Sequence, residues 1–90
     1  MDAVWVFNGD GGTFPAAVFS TRDRAESWIA EHRLTGCLTK YPLDVPLYES
    51  AMAKGYFKPK YPSHYEACFI QRFSSAYLEH HHYEAGMRQT

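Results

Sequence analysis

Three consecutive histidines, His80-His81-His82, followed by Tyr83 and Glu84, are the densest group of chemically capable side chains in the sequence. On a strand rising ~3.3 Å per residue, alternate side chains face the same way, so His80 and His82 would lie about 7 Å apart with Glu84 in line. Two imidazoles and a carboxylate are donors suited to a divalent metal. The same three groups can act as acid and base near neutral pH. The plain alternative is an exposed sheet face carrying polar rings. A metal site would need a further ligand, for which His64 and Glu66 are the candidates. If the segment is a helix instead, the facing set becomes Glu79, His82 and Tyr83.

A second group mixes cations with flat rings: Tyr56, Phe57, Lys58, Lys60 and Tyr61, with Arg72 further along. Such a mixture suits a protein-binding surface, where aromatic residues and arginine are favoured. Glu79 and Tyr83 extend this candidate binding set. The same mixture can stack bases and hold phosphates. A formal net charge of −1 weighs against that use, because phosphate binding is driven by positive charge. The plain alternative is a rigid connection whose rings plug the core.

Other candidates are weaker. Asn8-Gly9-Asp10-Gly11-Gly12 has the glycines of a phosphate cradle, but a strand and not a helix is predicted to follow it, so a hairpin turn is expected. His32 lies on the apolar face of a predicted helix and is read as a half-buried side chain with one satisfied nitrogen. Cys37 and Cys68 form no CxxC pair and match no zinc spacing. Both are read as small buried apolar residues in a reducing compartment. None of the serines at 20, 27, 50, 63, 74 and 75 lies in a nucleophile-elbow pattern.

The elements that must position these groups follow from periodicity. Ala3 to Phe7 is apolar on both faces and reads as a central strand. Thr13 to Phe19 reads as its hairpin partner, at an edge because Pro15 cannot donate to a ladder. Ser20 with Asp23 predicts a helix start. Ala25, Trp28, Ile29 and His32 form one face of that helix, which runs to about Arg33 with Gly36 marking its exit. Cys37 to Tyr41 reads as a third strand. Asp44 is expected to cap a second helix with the stripe Leu47, Tyr48, Ala51 and Met52, ended by Gly55, with Tyr56 packing back on it. The run from Tyr56 to Pro62, with two prolines, is expected to be extended.

Ser63 with Glu66 predicts a short helix from His64 to about Gln71, with Tyr65, Cys68, Phe69 and Arg72 on one face. A strand through Ala67 to Phe73 is the alternative. Ser74 to Tyr83 reads as a last strand, and residues from about 85 onward as a frayed tail. Ninety residues suit one α+β domain. The expected architecture is a two-layer sandwich with a mainly antiparallel sheet of about four strands and two or three helices, in the order β-β-α-β-α-(α)-β.

Several phrases stand out together: VWVFNG from Val4, AESWIAEHRLTG from Ala25, LTKYPLD from Leu38, GYFKPK from Gly55 and RFSSAYLEHHHYE from Arg72. Together they resemble a family of small, uncharacterised bacterial proteins. The resemblance covers nearly the whole chain and supplies no active-site residues. It implies a style of protein that includes immunity partners of secreted toxins.

The leading functional expectation is therefore a protein-binding module, in its narrower form an immunity protein that neutralises a bacterial toxin by binding it. Asp10, Glu79 and Glu84 are placed in the sequence to oppose a basic partner. The alternatives are a small metal- or histidine-dependent enzyme centred on His80, His82 and Glu84, and a binder of single-stranded nucleic acid. The leading reading requires no cofactor and a protein partner. No apolar stretch approaches a membrane span, and the N-terminal apolar run is too short for a signal peptide, so a cytoplasmic protein is expected.

Overall fold

A computed structural model describes residues 2–74 and 77–90 of the chain. Strand β1 (Ala3–Gly9) pairs antiparallel with β3 (Gly36–Pro42) along its whole length, from Ala3 opposite Pro42 to Gly9 opposite Gly36. Strand β2 (Ala17–Phe19) lies on the free side of β1, β4 (His80–Glu84) on the free side of β3, and β5 (Met87–Arg88) beyond β4. The sheet order is β2-β1-β3-β4-β5 and every pairing is antiparallel. The α+β class and the antiparallel sheet are as expected, with one strand more. Ser75 and Ala76, which the predicted last strand includes, lie outside the described residues.

Helix α1 (Arg22–His32) covers one face of this sheet. Trp5, Phe7, Leu38 and Tyr83 point from the strands toward Ala25 and Ile29 of the helix, with Phe19, Trp28 and Leu34 at the margin. Phe7, Ile29 and Leu38 are fully buried, and each such side chain contributes about 1.5–3 kcal/mol of transfer free energy. The helix starts at Thr21, whose hydroxyl accepts from the Arg24 amide, one residue beyond the expected Ser20. It ends at Arg33, which adopts the left-handed conformation (φ 54°), while Leu34 donates back to the Ile29 carbonyl.

Gly36 is therefore not the helix exit. It belongs to β3, where a Cβ would sit 2.3 Å from the Asn8 carbonyl oxygen and 2.7 Å from the Phe7 ring. The return strand is shorter than Thr13–Phe19, because Pro15 lies in the loop and pairing begins at Ala17. The segment from 85 is not a frayed tail. Ala85 (φ 49°) and Gly86 (φ 86°) make a two-residue turn of the type that matches strand twist, and β5 folds back on β4. The Gly86 amide donates to the Leu34 carbonyl, which ties this turn to the end of α1.

By contact density the chain divides into two compact units: the sheet with α1 (Met1–Leu43 and Leu78–Thr90), and Asp44–Tyr77. The second unit holds α2 (Leu47–Ala53), a 3-10 turn over Pro62–Tyr65 and the single-turn helix α3 (Ala67–Ile70). Asp44 does not cap α2. It takes a left-handed conformation (φ 59°), and the residue at the cap position is Pro46, with no side-chain bond. At the other end Gly55 is left-handed, as expected, with its own amide bonded to Met52 and that of Tyr56 to Ala51.

The predicted helix over 64–71 is broken into two short pieces, because Pro62 starts a tight turn and Glu66 is extended (φ −84°, ψ 152°). The Ser63/Glu66 pair makes a backbone bond and no side-chain cap. Among the described residues no helix is long and apolar enough to cross a membrane.

The Tyr83 hydroxyl donates to Glu26 across 2.6 Å, a direct side-chain tie between sheet and helix. Burial and then this bond to Glu26 push the phenol well above its ordinary pKa of 10.0. The folded state thus keeps Tyr83 neutral after the unfolded chain begins to ionise, so its stabilising effect is intact below pH 10 and is lost as pH rises beyond it. Tyr83→Phe is expected to cost about 1–2 kcal/mol at pH 7, with a gap in melting temperature from wild type that narrows above pH 10. Both tryptophans, Trp5 and Trp28, lie in the sheet unit, so tryptophan fluorescence melting reads this directly.

Candidate functional site

The register of β4 decides what the histidines can do. The Lys40 amide of β3 donates to the Glu79 carbonyl directly opposite, which makes 40 and 79 a hydrogen-bonded pair and leaves Thr39–His80 and Cys37–His82 as the closely spaced, non-bonded pairs. His81 and Tyr83 point to the helix side. His80, His82 and Glu84 point to the opposite face and are exposed, as the alternation predicted. The His80 and His82 rings stand edge to face with centroids 5.3 Å apart. His80 Nδ1 bonds the Leu78 carbonyl at 2.8 Å.

Two imidazoles are thus adjacent, with Cys37 opposite His82, but Cys37 Sγ is engaged with Thr39 Oγ1 at 3.7 Å. Among the described residues, no three His, Cys, Asp or Glu side chains are grouped so as to hold a metal ion. His64, named as a further ligand, has another use. Its Nδ1 accepts the Lys60 amide at 3.0 Å and its ring lies 4.7 Å from that of Phe69.

His81 takes part in a different network. It stacks on Trp5 at 6.1 Å and its Nε2 lies 3.0 Å from Glu79. This bond, against a smaller opposing effect of burial, holds the Glu79 carboxyl below its usual range, and Lys40 and Arg22 add to it. Arg22 also pairs with Glu26 at 3.3 Å, so Glu79 and Tyr83 are linked on the helix side through Arg22 and Glu26 in turn. Tyr83 is only 4% exposed and cannot serve as the surface contact expected of it. His32 is exposed, not half-buried, resting edge-on against Trp28 at 5.8 Å.

The turn at Asn8–Gly12 is a hairpin connection, with Gly12 donating to the Gly9 carbonyl and the chain running on into β2. Both cysteines are free. Cys37 is half-buried and Cys68 exposed, since the single-turn α3 has too little length to sequester it.

The second candidate set divides sharply. Phe57 is half-buried, packed against Tyr48, Phe69 and Phe73 at 5.1–5.9 Å. Tyr48 anchors that cluster by donating to the His64 carbonyl at 2.7 Å, and burial raises its pKa. Tyr56 does not pack back on α2. It is 65% exposed beside Tyr77, while Tyr61 is 62% and Tyr65 65% exposed. Lys58, Lys60 and Arg72 are exposed too. Helical spacing assigns Tyr65 to a shared helical face. The break at Glu66 turns it outward, and Pro62 was the available signal for that break.

A family model described as a domain of unknown function (DUF7710) matches residues 4–89. No curated protein and no solved structure matches the chain.

The split between neighbours 56 and 57 is testable. Phe57→Ala is expected to destabilise the 44–77 unit by about 3 kcal/mol, whereas Tyr56→Ala changes it by about 0.5 kcal/mol or less. Hydrogen exchange at the amides of Ala51 to Lys54 measures both.

Proposed function

We propose that this chain, which belongs to the DUF7710 family, is a protein-binding module whose contact surface is the exposed face of the 44–77 unit. One observation carries this reading: Tyr56, Tyr61 and Tyr65 are each more than 60% exposed on one small unit that also exposes Lys58 and Lys60. Leaving large rings in water forgoes the stabilisation that burial would give them. Tyrosine offers a broad apolar face and a hydroxyl for little loss of side-chain freedom, which is why it is favoured in contact surfaces. Lys58 and Lys60, exposed between Tyr56 and Tyr61 in the chain, can pair with acidic side chains of a partner.

The narrower reading is an immunity protein that blocks a toxin. Its support is the motif resemblance and the outward carboxylate Glu84 with Asp10 on the sheet unit, which suit a basic partner. The tyrosine surface favours the broader reading.

Tagged full-length chain used as bait in native lysate is expected to recover a partner in stoichiometric amount. The triple variant Tyr56→Ala, Tyr61→Ala, Tyr65→Ala, with an unchanged melting profile, is expected to lose it by tenfold or more. Equal recovery by both chains, or no stoichiometric partner across growth conditions, contradicts the assignment.

A further inference from the structure

The 44–77 unit also contains a concavity separate from its exposed tyrosines. An open groove of about 490 Å³ is lined by Phe69 and Phe73, by Ser63 and Ser74, by Cys68 and by Arg72. The two phenyl rings, with centroids 6.1 Å apart, also belong to the aromatic cluster around Tyr48 and Phe57, so that cluster fixes the floor of the groove. The volume lies within the range of small-ligand sites.

The electrostatics of the lining are one-sided. Among the described residues Arg72 is its single charged group, and no acidic side chain lines it. Among the described residues Arg72 has no ion-pair partner, whereas Arg22 is paired with Glu26. A guanidinium offers five donors in a planar fork that matches an oxyanion head. Ser63 and Ser74 add two hydroxyls that can donate to the same head. The phenyl edges supply apolar surface for a flat body.

We infer that this groove is a binding site for a small amphipathic anion, with an apolar or aromatic body on Phe69 and Phe73 and its charged head on Arg72. The site does not depend on the protein-contact reading, because it uses neither Tyr56, Tyr61 nor Tyr65.

The test uses two fluorescent probes of similar size, anilinonaphthalene sulfonate, which is anionic, and N-phenylnaphthylamine, which is neutral. The folded full-length chain is expected to bind both, with amide shifts in two-dimensional NMR centred on Ser63 to Ser74. Arg72→Gln, on the exposed side chain, is expected to weaken the anionic probe about tenfold while leaving the neutral probe within twofold. Arg72→Lys is expected to restore part of the loss. Binding of neither probe, shifts centred elsewhere, equal affinity of the anionic probe for wild type and Arg72→Gln, or parallel loss of both probes would each overturn the proposal.

Discussion

The pairing of β1 with β3 is the constraint from which the sheet unit follows. It is the longest strand pair in the molecule, and it closes only because position 36 has no side chain. A methyl group there would overlap the Asn8 carbonyl and the Phe7 ring, and the carbonyl, being backbone, cannot swing away. With Gly36 opposite Gly9, Leu38 falls beside Phe7, and both reach the core under Ile29. A shift of one residue would turn Leu38 outward and bring Cys37 and Thr39 into the core in its place.

The same register passes through β3 to β4 and sorts the histidine run. His81 goes to the helix side, where it stacks on Trp5 and bonds Glu79, and Tyr83 follows it to meet Glu26. His80 and His82 go to the other face as a close pair of imidazoles. The run that looks most chemical in the sequence is thus split by strand pairing into a structural half and an exposed half. The exposed tyrosines and lysines of the proposed contact surface lie instead in the 44–77 unit.

Much of this was legible in the residues. The alternation of β4, the apolar periodicity of α1, the edge position of β2 and the glycine cap at Gly55 each rest on local backbone or pattern rules, and each holds, though Pro15 lies before β2 and not in it. What was missed depends on partners distant in sequence. Gly36 reads as a helix exit until Asn8 is placed against it. Tyr83 reads as a surface ring until Glu26 is found 2.6 Å away, fifty-seven residues upstream. The turn at Ala85-Gly86 needs a non-glycine residue in a left-handed conformation, which composition does not announce. In the candidate surface, Tyr56 and Phe57 are neighbours with opposite fates, decided by the α2 cap that turns the chain between them. The Arg72 groove is not legible in the sequence, because Ser63 and Ser74 become its walls only in the folded unit.

The register of β3 against β4 puts one pair of imidazoles outward and the phenol inward. Close, non-bonded pairs in antiparallel strands bring their α-protons into direct contact. Nuclear Overhauser measurement on the isotope-labelled chain is expected to show strong α-proton cross-peaks between Cys37 and His82 and between Thr39 and His80. Cross-peaks displaced by one position, such as Cys37 to His81, would place His80 and His82 on the helix side and contradict the account.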